Sequence, residues 1–304
     1  MSEAPKKEQI IDIKASVKAI IESIDQERER EIIKRRFGLY ERKETLEQIG
    51  ELLGITRERV RQLEKAILIR IKMVAERGEL PDIISCEKVI IRTLSDMGRV
   101  AKLHELTDKL LGKKSNSRER AHIAFIAELS PNLTVINETD NYENGVAIAE
   151  YGDEKKIKKQ IEEIIKTIKT NKKPLTIEEL HEKLNYEHPN HVQALAQISK
   201  HLAHLKDVWG LAKWPTVNPK NIRDKIFVIL SESGKPLHFS EIAEAIRESD
   251  FNRKDVTKQA IHNELIKDKI PLPACIGRVC PHPCEDACRR GLIEEPISIM
   301  SIKR

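Results

Sequence analysis

Four cysteines crowd into fourteen residues near the C-terminus: Cys275, Cys280, Cys284 and Cys288, spaced C-x4-C-x3-C-x3-C. Thiolates at such short intervals can surround an iron-sulfur cluster, and so tight a group points to metal ligation rather than to a disulfide framework. A fifth, Cys86, stands alone. A second set of chemistry-bearing residues, Arg57, Glu58, Arg61 and Gln62, falls within six positions of one helical run. Arginine forks onto guanine, glutamate accepts from cytosine N4 and glutamine pairs with adenine, so this set suits base edges in a major groove. Arg35, Arg36 and Arg59 are then candidates for phosphates. His188, His191, His201 and His204 are zinc-ligand types with no cysteine nearby, and read as surface or core histidines. No nucleophile with a spaced base and no glycine loop for phosphates follows a strand anywhere, so the chain reads as a non-enzyme.

The elements that position the base-reading set are legible from local signals. Thr45 followed by Gln48 makes a capping box, and Leu46, Ile49, Leu52 and Leu53 give the next helix an apolar face. Gly54 ends it, Ile55 fills the turn, and Thr56 caps a second helix with Val60, Leu63 and Ile67 inside. This is a helix-turn-helix, and Arg57, Glu58, Arg61 and Gln62 occupy the first two turns of its reading helix. The net charge of +5 averages 54 Lys and Arg against 49 Asp and Glu, so any nucleic-acid surface must come from local clustering. Residues 27–72 supply it, with thirteen Lys or Arg against nine Glu. No stretch approaches the ~18 apolar residues of a spanning helix, so no membrane partner and a cytoplasmic location are expected.

Beyond residue 85 an internal repeat appears. DMGRVAKLHELTDKLL, TNKKPLTIEELHEKLN and ESGKPLHFSEIAEAIR align without gaps, each with an apolar helix before it and a helical segment after it. Spacings of about 62 to 74 residues suit three-helix units with a small hairpin. The first copy places its hairpin around Asn144 and Gly145, and the second has DVWGLAKWP with Trp209, Gly210 and Trp214. The third reaches HNELIKDKI without a wing. The predicted fold is therefore mainly α: a helix-turn-helix domain followed by tandem winged-helix (α+β) modules. The expected divisions are an N-terminal segment (1–23), the helix-turn-helix (24–75), a linker (76–85), two winged-helix modules (86–152 and 153–220), a third copy lacking its wing (221–270) and the cysteine-rich tail (271–304).

Three resemblances follow from these residues. REREIIKRRFGL followed by TLEQIGELLGITRERVRQLEKAI, over about 24–71, resembles region 4 of primary bacterial sigma factors. That resemblance implies readout of a promoter −35 element by Arg57, Glu58, Arg61 and Gln62, and contact with the RNA polymerase core. Nothing like sigma region 2 or region 3 accompanies it. GKPLHFSEIAEAIRE with AIHNELIKD, over about 221–268, resembles the HARE-type helix-turn-helix of the RNA polymerase delta subunit, a module that binds DNA or protein. There Lys225, Lys235, His238, Arg253, Lys254 and Lys258 are candidate phosphate contacts. The tail LPACIGRVCPHPCEDACRRGLIEEPISIMSIKR resembles part of the iron-sulfur segment of glutamate synthase small subunit-like oxidoreductases. The tail is read as the junction of two reading frames or genes, with a redox-sensing cluster as the competing reading.

The expected function is a DNA-binding transcription protein with double-stranded promoter DNA and RNA polymerase core as partners. An RNA polymerase adaptor without base readout is the alternative. The expected DNA-binding set is Arg57, Glu58, Arg61 and Gln62, with Arg59, Arg36, Arg35, Thr45 and Thr56 beside them.

Overall fold

The computed structural model describes residues 12–266 apart from 187, 236, 250 and 252–255. Among these the chain is mainly helical with two small antiparallel sheets, as its periodicity predicts. It opens on α1 (Ile13–Glu22), α2 (Glu27–Phe37), α3 (Leu46–Leu53) and α4 (Arg57–Glu76). Next come α5 (Pro81–Asp96), β1 (Val100–Lys102), α6 (Leu103–Leu111), α7 (Ser117–Leu129), β2 (Leu133–Ile136) and β3 (Gly145–Ile148). The sheet order is β1-β3-β2, with Val100 opposite Ala147 and Val135 opposite Val146.

The same order returns in α8 (Glu154–Asn171), β4 (Leu175–Thr176), α9 (Ile177–Leu184), α10 (Pro189–Ile198), β5 (Leu202–Leu205) and β6 (Val208–Leu211). Its sheet runs β4-β6-β5, with Ala203 opposite Gly210. Helix, strand, two helices and a closing hairpin follow one another in both copies, the element order of a winged helix. The third copy is described as three helices, α11 (Ile222–Ser233), α12 (Phe239–Glu248) and α13 (Lys258–Ile266). The stretch read as its missing wing lies outside the described residues.

Two compact units divide the chain. One holds α1 to α7, the first sheet, most of α8, and α9 and α10. The other holds the second sheet with α11, α12 and α13. The helices and strands of the second repeat thus fall in different units.

Within the first unit the helices share one core. Ile20 of α1, Ile33 of α2, Ile67 and Ile71 of α4, Ile90 of α5, Leu106 of α6 and Phe125 of α7 belong to one buried cluster. Periodicity marks which face of each helix is apolar, and says nothing about which neighbour covers it. A smaller cluster of Ile32, Ile49 and Val60 holds α2, α3 and α4 together. In the second unit Ile226, Ile229, Ile242, Ile246 and Ile261 form a separate core.

Two local expectations are corrected. The linker expected at 76–85 shrinks to the four residues between Glu76 and Pro81, because Pro81 opens α5 as its first residue. Proline suits that position, where its missing N–H has no partner to lose. Asn144 and Gly145 do not form the hairpin turn: Gly145 is the first residue of β3. A Cβ there would sit 2.7 Å from Ile198 Cδ1 and 3.0 Å from the Ala101 carbonyl oxygen, so this glycine serves a close approach of α10. The tight hairpin is in the second sheet, where Lys206 at φ 53° and Asp207 join β5 to β6.

Candidate nucleic-acid interface

Helix α4 is set by caps at both ends of α3 and at its own start. The Gln48 backbone N–H donates to Thr45 Oγ1 at 3.3 Å, and the Thr45 N–H donates to Gln48 Oε1 at 2.9 Å. Gly54 ends α3 in the left-handed region at φ 65°, and the Ile55 N–H donates to the Gly50 carbonyl at 2.9 Å. Thr56 Oγ1 accepts from the Arg59 N–H at 3.3 Å and starts α4. Thr45 and Thr56 both act as caps. Thr45→Ala should therefore lower stability by about 1 kcal/mol, read as a fall in the denaturant midpoint with unchanged slope.

The α2 side of the motif adds a contact invisible to local patterns. Arg28 donates to the Leu53 carbonyl at 2.8 Å, satisfying an orphan acceptor at the end of α3. Gly50 is a second position the sequence did not mark. A Cβ on it would meet the Ile55 carbonyl oxygen at 2.6 Å, so the turn between α3 and α4 closes over a residue with no side chain.

From this frame Arg57, Glu58, Arg59, Arg61 and Gln62 all project into solvent. Arg61 donates to Glu58 through Nε at 2.9 Å and through a terminal nitrogen at 2.8 Å, with both side chains more than half exposed (57% and 58%). Gln62 donates to Glu58 at 3.4 Å, and Arg59 donates to Gln62 at 3.4 Å. The bonds from Arg61 hold the Glu58 carboxyl below the usual carboxylate range, and Glu58 in turn raises Arg61. Glu58 is an ionised acceptor at neutral pH. These four side chains form one polar network at the tip of α4. Such exposed pairs are individually weak and can exchange for partners on a base edge.

Arg35 and Arg36 are placed differently from the phosphate role expected of them. Arg35 donates to Glu31 at 2.5 Å and to Glu44 at 2.7 Å, and both bonds raise its pKa. Arg36 donates to Glu64 at 3.1 Å, tying α2 to α4. Both guanidinium groups are committed to brackets inside the motif. In the third copy Lys225 is only 3% exposed and cannot reach a backbone phosphate. His238 is a helix cap, its Nδ1 accepting from the Ser240 N–H at 3.3 Å, and Lys258 lies 4.0 Å from Glu244. Lys235 is exposed. Arg253 and Lys254 lie outside the described residues, as do Cys275, Cys280, Cys284 and Cys288.

In the first unit the third helices of the two winged-helix copies, α7 and α10, face protein. α7 buries His122, Ile123, Phe125, Ile126 and Leu129 in the core shared with α1, α2 and α4. His122 Nε2 lies 2.8 Å from the Leu39 carbonyl, and Phe37 meets Phe125 edge to face at 5.0 Å. α10 buries His191, Val192, Leu195 and Ile198 and packs on β1. His191 Nδ1 lies 2.9 Å from the Gly98 carbonyl, and a Cβ on Gly98 would come within 2.4 Å of the Asn190 carbonyl oxygen. Helices that enter a major groove in other proteins of this architecture are here joints between modules. Of the four histidines considered as zinc ligands, His191 is thus a core hydrogen-bonding residue, and His204 stacks on Trp209 at 4.6 Å.

The described residues hold a helix-turn-helix followed by winged-helix repeats. Residues 26–72 match the family sigma-70, region 4, and residues 241–304 match dihydropyrimidine dehydrogenase domain II, 4Fe-4S cluster. The second match begins within α12 and includes all four tail cysteines.

Curated relatives fall into the same two groups. The chain is 41% identical over 63 residues to RNA polymerase sigma factor RpoD of Helicobacter pylori, covering 20% of this chain and 9% of that protein. It is 51% identical over 41 residues to the NADPH-Fe(3+) oxidoreductase subunit beta of Geobacter sulfurreducens, covering 14% and 6%. It is also 41% identical over 75 residues to the glutamate synthase [NADH] of Saccharomyces cerevisiae, covering 25% and 3%. The chain therefore spans a small fraction of the length of each of these relatives. No solved structure matches. Among the described residues, no helix is long and apolar enough to cross a membrane.

Proposed function

We propose that the chain is a cytoplasmic, non-enzymatic transcription protein whose helix α4 reads a −35-like promoter element in double-stranded DNA, and that it contacts RNA polymerase core. One observation carries the reading: Arg57, Glu58, Arg61 and Gln62 stand exposed together on the first two turns of α4, within a segment that matches sigma-70 region 4. Arg59 is left for a phosphate, and the caps at Thr45 and Thr56 fix the angle of entry. The burial of α7 and α10 supports a division of labour in which the first two winged-helix copies hold the reader rather than read. The test is co-elution of the purified protein with RNA polymerase core, followed by transcription from a pair of promoters differing in their −35 element. Co-elution with a shift in promoter choice is expected. Co-elution without a shift would favour a polymerase adaptor that reads no bases.

A second reading concerns the tail, and the 4Fe-4S family match favours it. Cys275, Cys280, Cys284 and Cys288 supply four soft thiolates, the donor number such a cluster needs, and they would hold it. A bound cluster supplies one-electron chemistry, which would make the tail a redox-sensing attachment to the DNA reader. Anaerobic reconstitution with iron and sulfide should produce a thiolate-to-iron absorption band that disappears when all four cysteines become serine. An absent band, or one that survives the substitutions, rejects the cluster and leaves the tail as the junction of two reading frames or genes.

A further inference from the structure

We propose that the first winged-helix copy adds its own backbone contact to the duplex read by α4, made by Arg118 at the start of α7. This inference rests on the DNA-reading function proposed above and extends it beyond the sigma-like segment.

The observation is a cleft of about 730 Å³ in the first unit. One wall is the loop between α2 and α3, with Arg42 and Lys43, and the other is the first turns of α7, with Arg118 and Arg120. Arg42, Lys43 and Arg118 are all exposed. The loop runs directly into Thr45, the cap of α3, and the first helix of a helix-turn-helix is the one that crosses the DNA backbone. A strand passing the start of α3 therefore passes the mouth of this cleft.

The charge of the cleft agrees with that occupant. Two of its four glutamates are already paired inside the protein, Glu128 with Lys72 at 3.0 Å and Glu138 with Lys200 at 2.8 Å. Glu41 and Glu143 are left beside four basic side chains, so the walls carry a positive excess. The floor along α7 is built of small residues, Ala121 and Ala124, which leave room for a chain to lie in it.

One turn beyond Arg118, His122 is bonded to Leu39, and Phe125 meets Phe37. Those two contacts grip both ends of the Phe37–Leu39 corner that leads to Arg42. Arg118 is thereby held at a set place relative to the reading motif, so its charge adds to binding without a search for position. A phosphate contact of this kind positions the duplex and carries no base information.

The test is a titration of the full chain with a −35-type duplex extended on both sides, and with the same duplex trimmed to the element, across a salt series. Each phosphate contact contributes a slope of about −0.9 in log affinity against log salt. Arg118→Ala should lower the magnitude of the slope by about 1 on the extended duplex. It should weaken binding several-fold there, leave the ratio of −35-type to scrambled binding unchanged, and have little effect on the trimmed duplex. Arg118→Lys should keep the slope. Lys155→Ala, which removes an exposed cation on α8, is the control for bulk charge. An Arg118→Ala protein that binds the extended duplex like the unaltered chain overturns the proposal, and so does an equal loss from Lys155→Ala. If the unaltered chain binds neither duplex, the DNA-reading function itself falls.

Discussion

Replacing Arg61 and Gln62 together by alanine is expected to abolish the preference for a −35-type duplex over a scrambled one while leaving the fold intact. Both side chains are exposed, Arg61 bonded to Glu58 and Gln62 to Glu58 and Arg59, so the stability change should stay within about 0.5 kcal/mol. Each base pair read through a good two-point contact is worth about 1–3 kcal/mol of discrimination. Losing both readers should therefore reduce the specificity ratio by one to several orders of magnitude, roughly, with most of the loss on the preferred duplex. Arg61 also holds Glu58, so its removal frees a carboxylate beside the duplex. The two single substitutions should not add. Arg59→Ala is the informative contrast: it should weaken both duplexes alike and lower the salt slope by about 1.

Gly50→Ala is expected to be the most damaging single substitution in the motif. Its new methyl would sit 2.6 Å from the Ile55 carbonyl oxygen, and the atom in the way is backbone rather than a side chain that can swing aside. Either α3 parts from the turn or Ile55 moves, and both open the Ile32, Ile49 and Val60 cluster. Overpacking of this kind costs roughly 3 kcal/mol, a large share of the stability of a small domain. Gly54→Ala makes the comparison. It has open space around it and a left-handed backbone, so it should cost only about 1 kcal/mol. Thermal unfolding of the two variants should separate a clash from a backbone preference. Equal losses would show that Ile55 yields freely.

The difference between those glycines explains much of what the sequence shows and hides. Gly54 is legible because it ends an apolar period and precedes a threonine cap, all within a few residues. Gly50 is silent because its reason is a carbonyl oxygen in the following turn, and nothing in helical periodicity marks it. Arg35 and Arg36 look like free cations from their neighbours alone. Only the return of α4 beside α2 brings Glu64 to Arg36, and only the curl of the loop brings Glu44 to Arg35. Asn144 and Gly145 carry a strong local turn signal that the close approach of α10 overrides. Lys225 sits on a helix whose pattern allows exposure, yet it is buried in the folded chain.

The repeat itself was legible to the level of its elements, since the three aligned segments hold the second helix of each copy and two copies close with hairpins. What α7 and α10 face was not. Their sequences, RERAHIAFIAEL and NHVQALAQI, mix polar and apolar residues in a way that fits either a groove-reading helix or a buried joint. Burial of His122 and His191 on backbone carbonyls decides for the joint. A cation on such a helix keeps access only where it emerges from the joint, as Arg118 does.

Whether α4 reads bases is decided most directly by a titration of the intact protein with a −35-type duplex and a scrambled duplex of equal length at one stated salt concentration. Binding to the −35-type duplex should be tighter by about 10³-fold or more, the lower range of specific over non-specific recognition. Equal affinity for the two duplexes would contradict it.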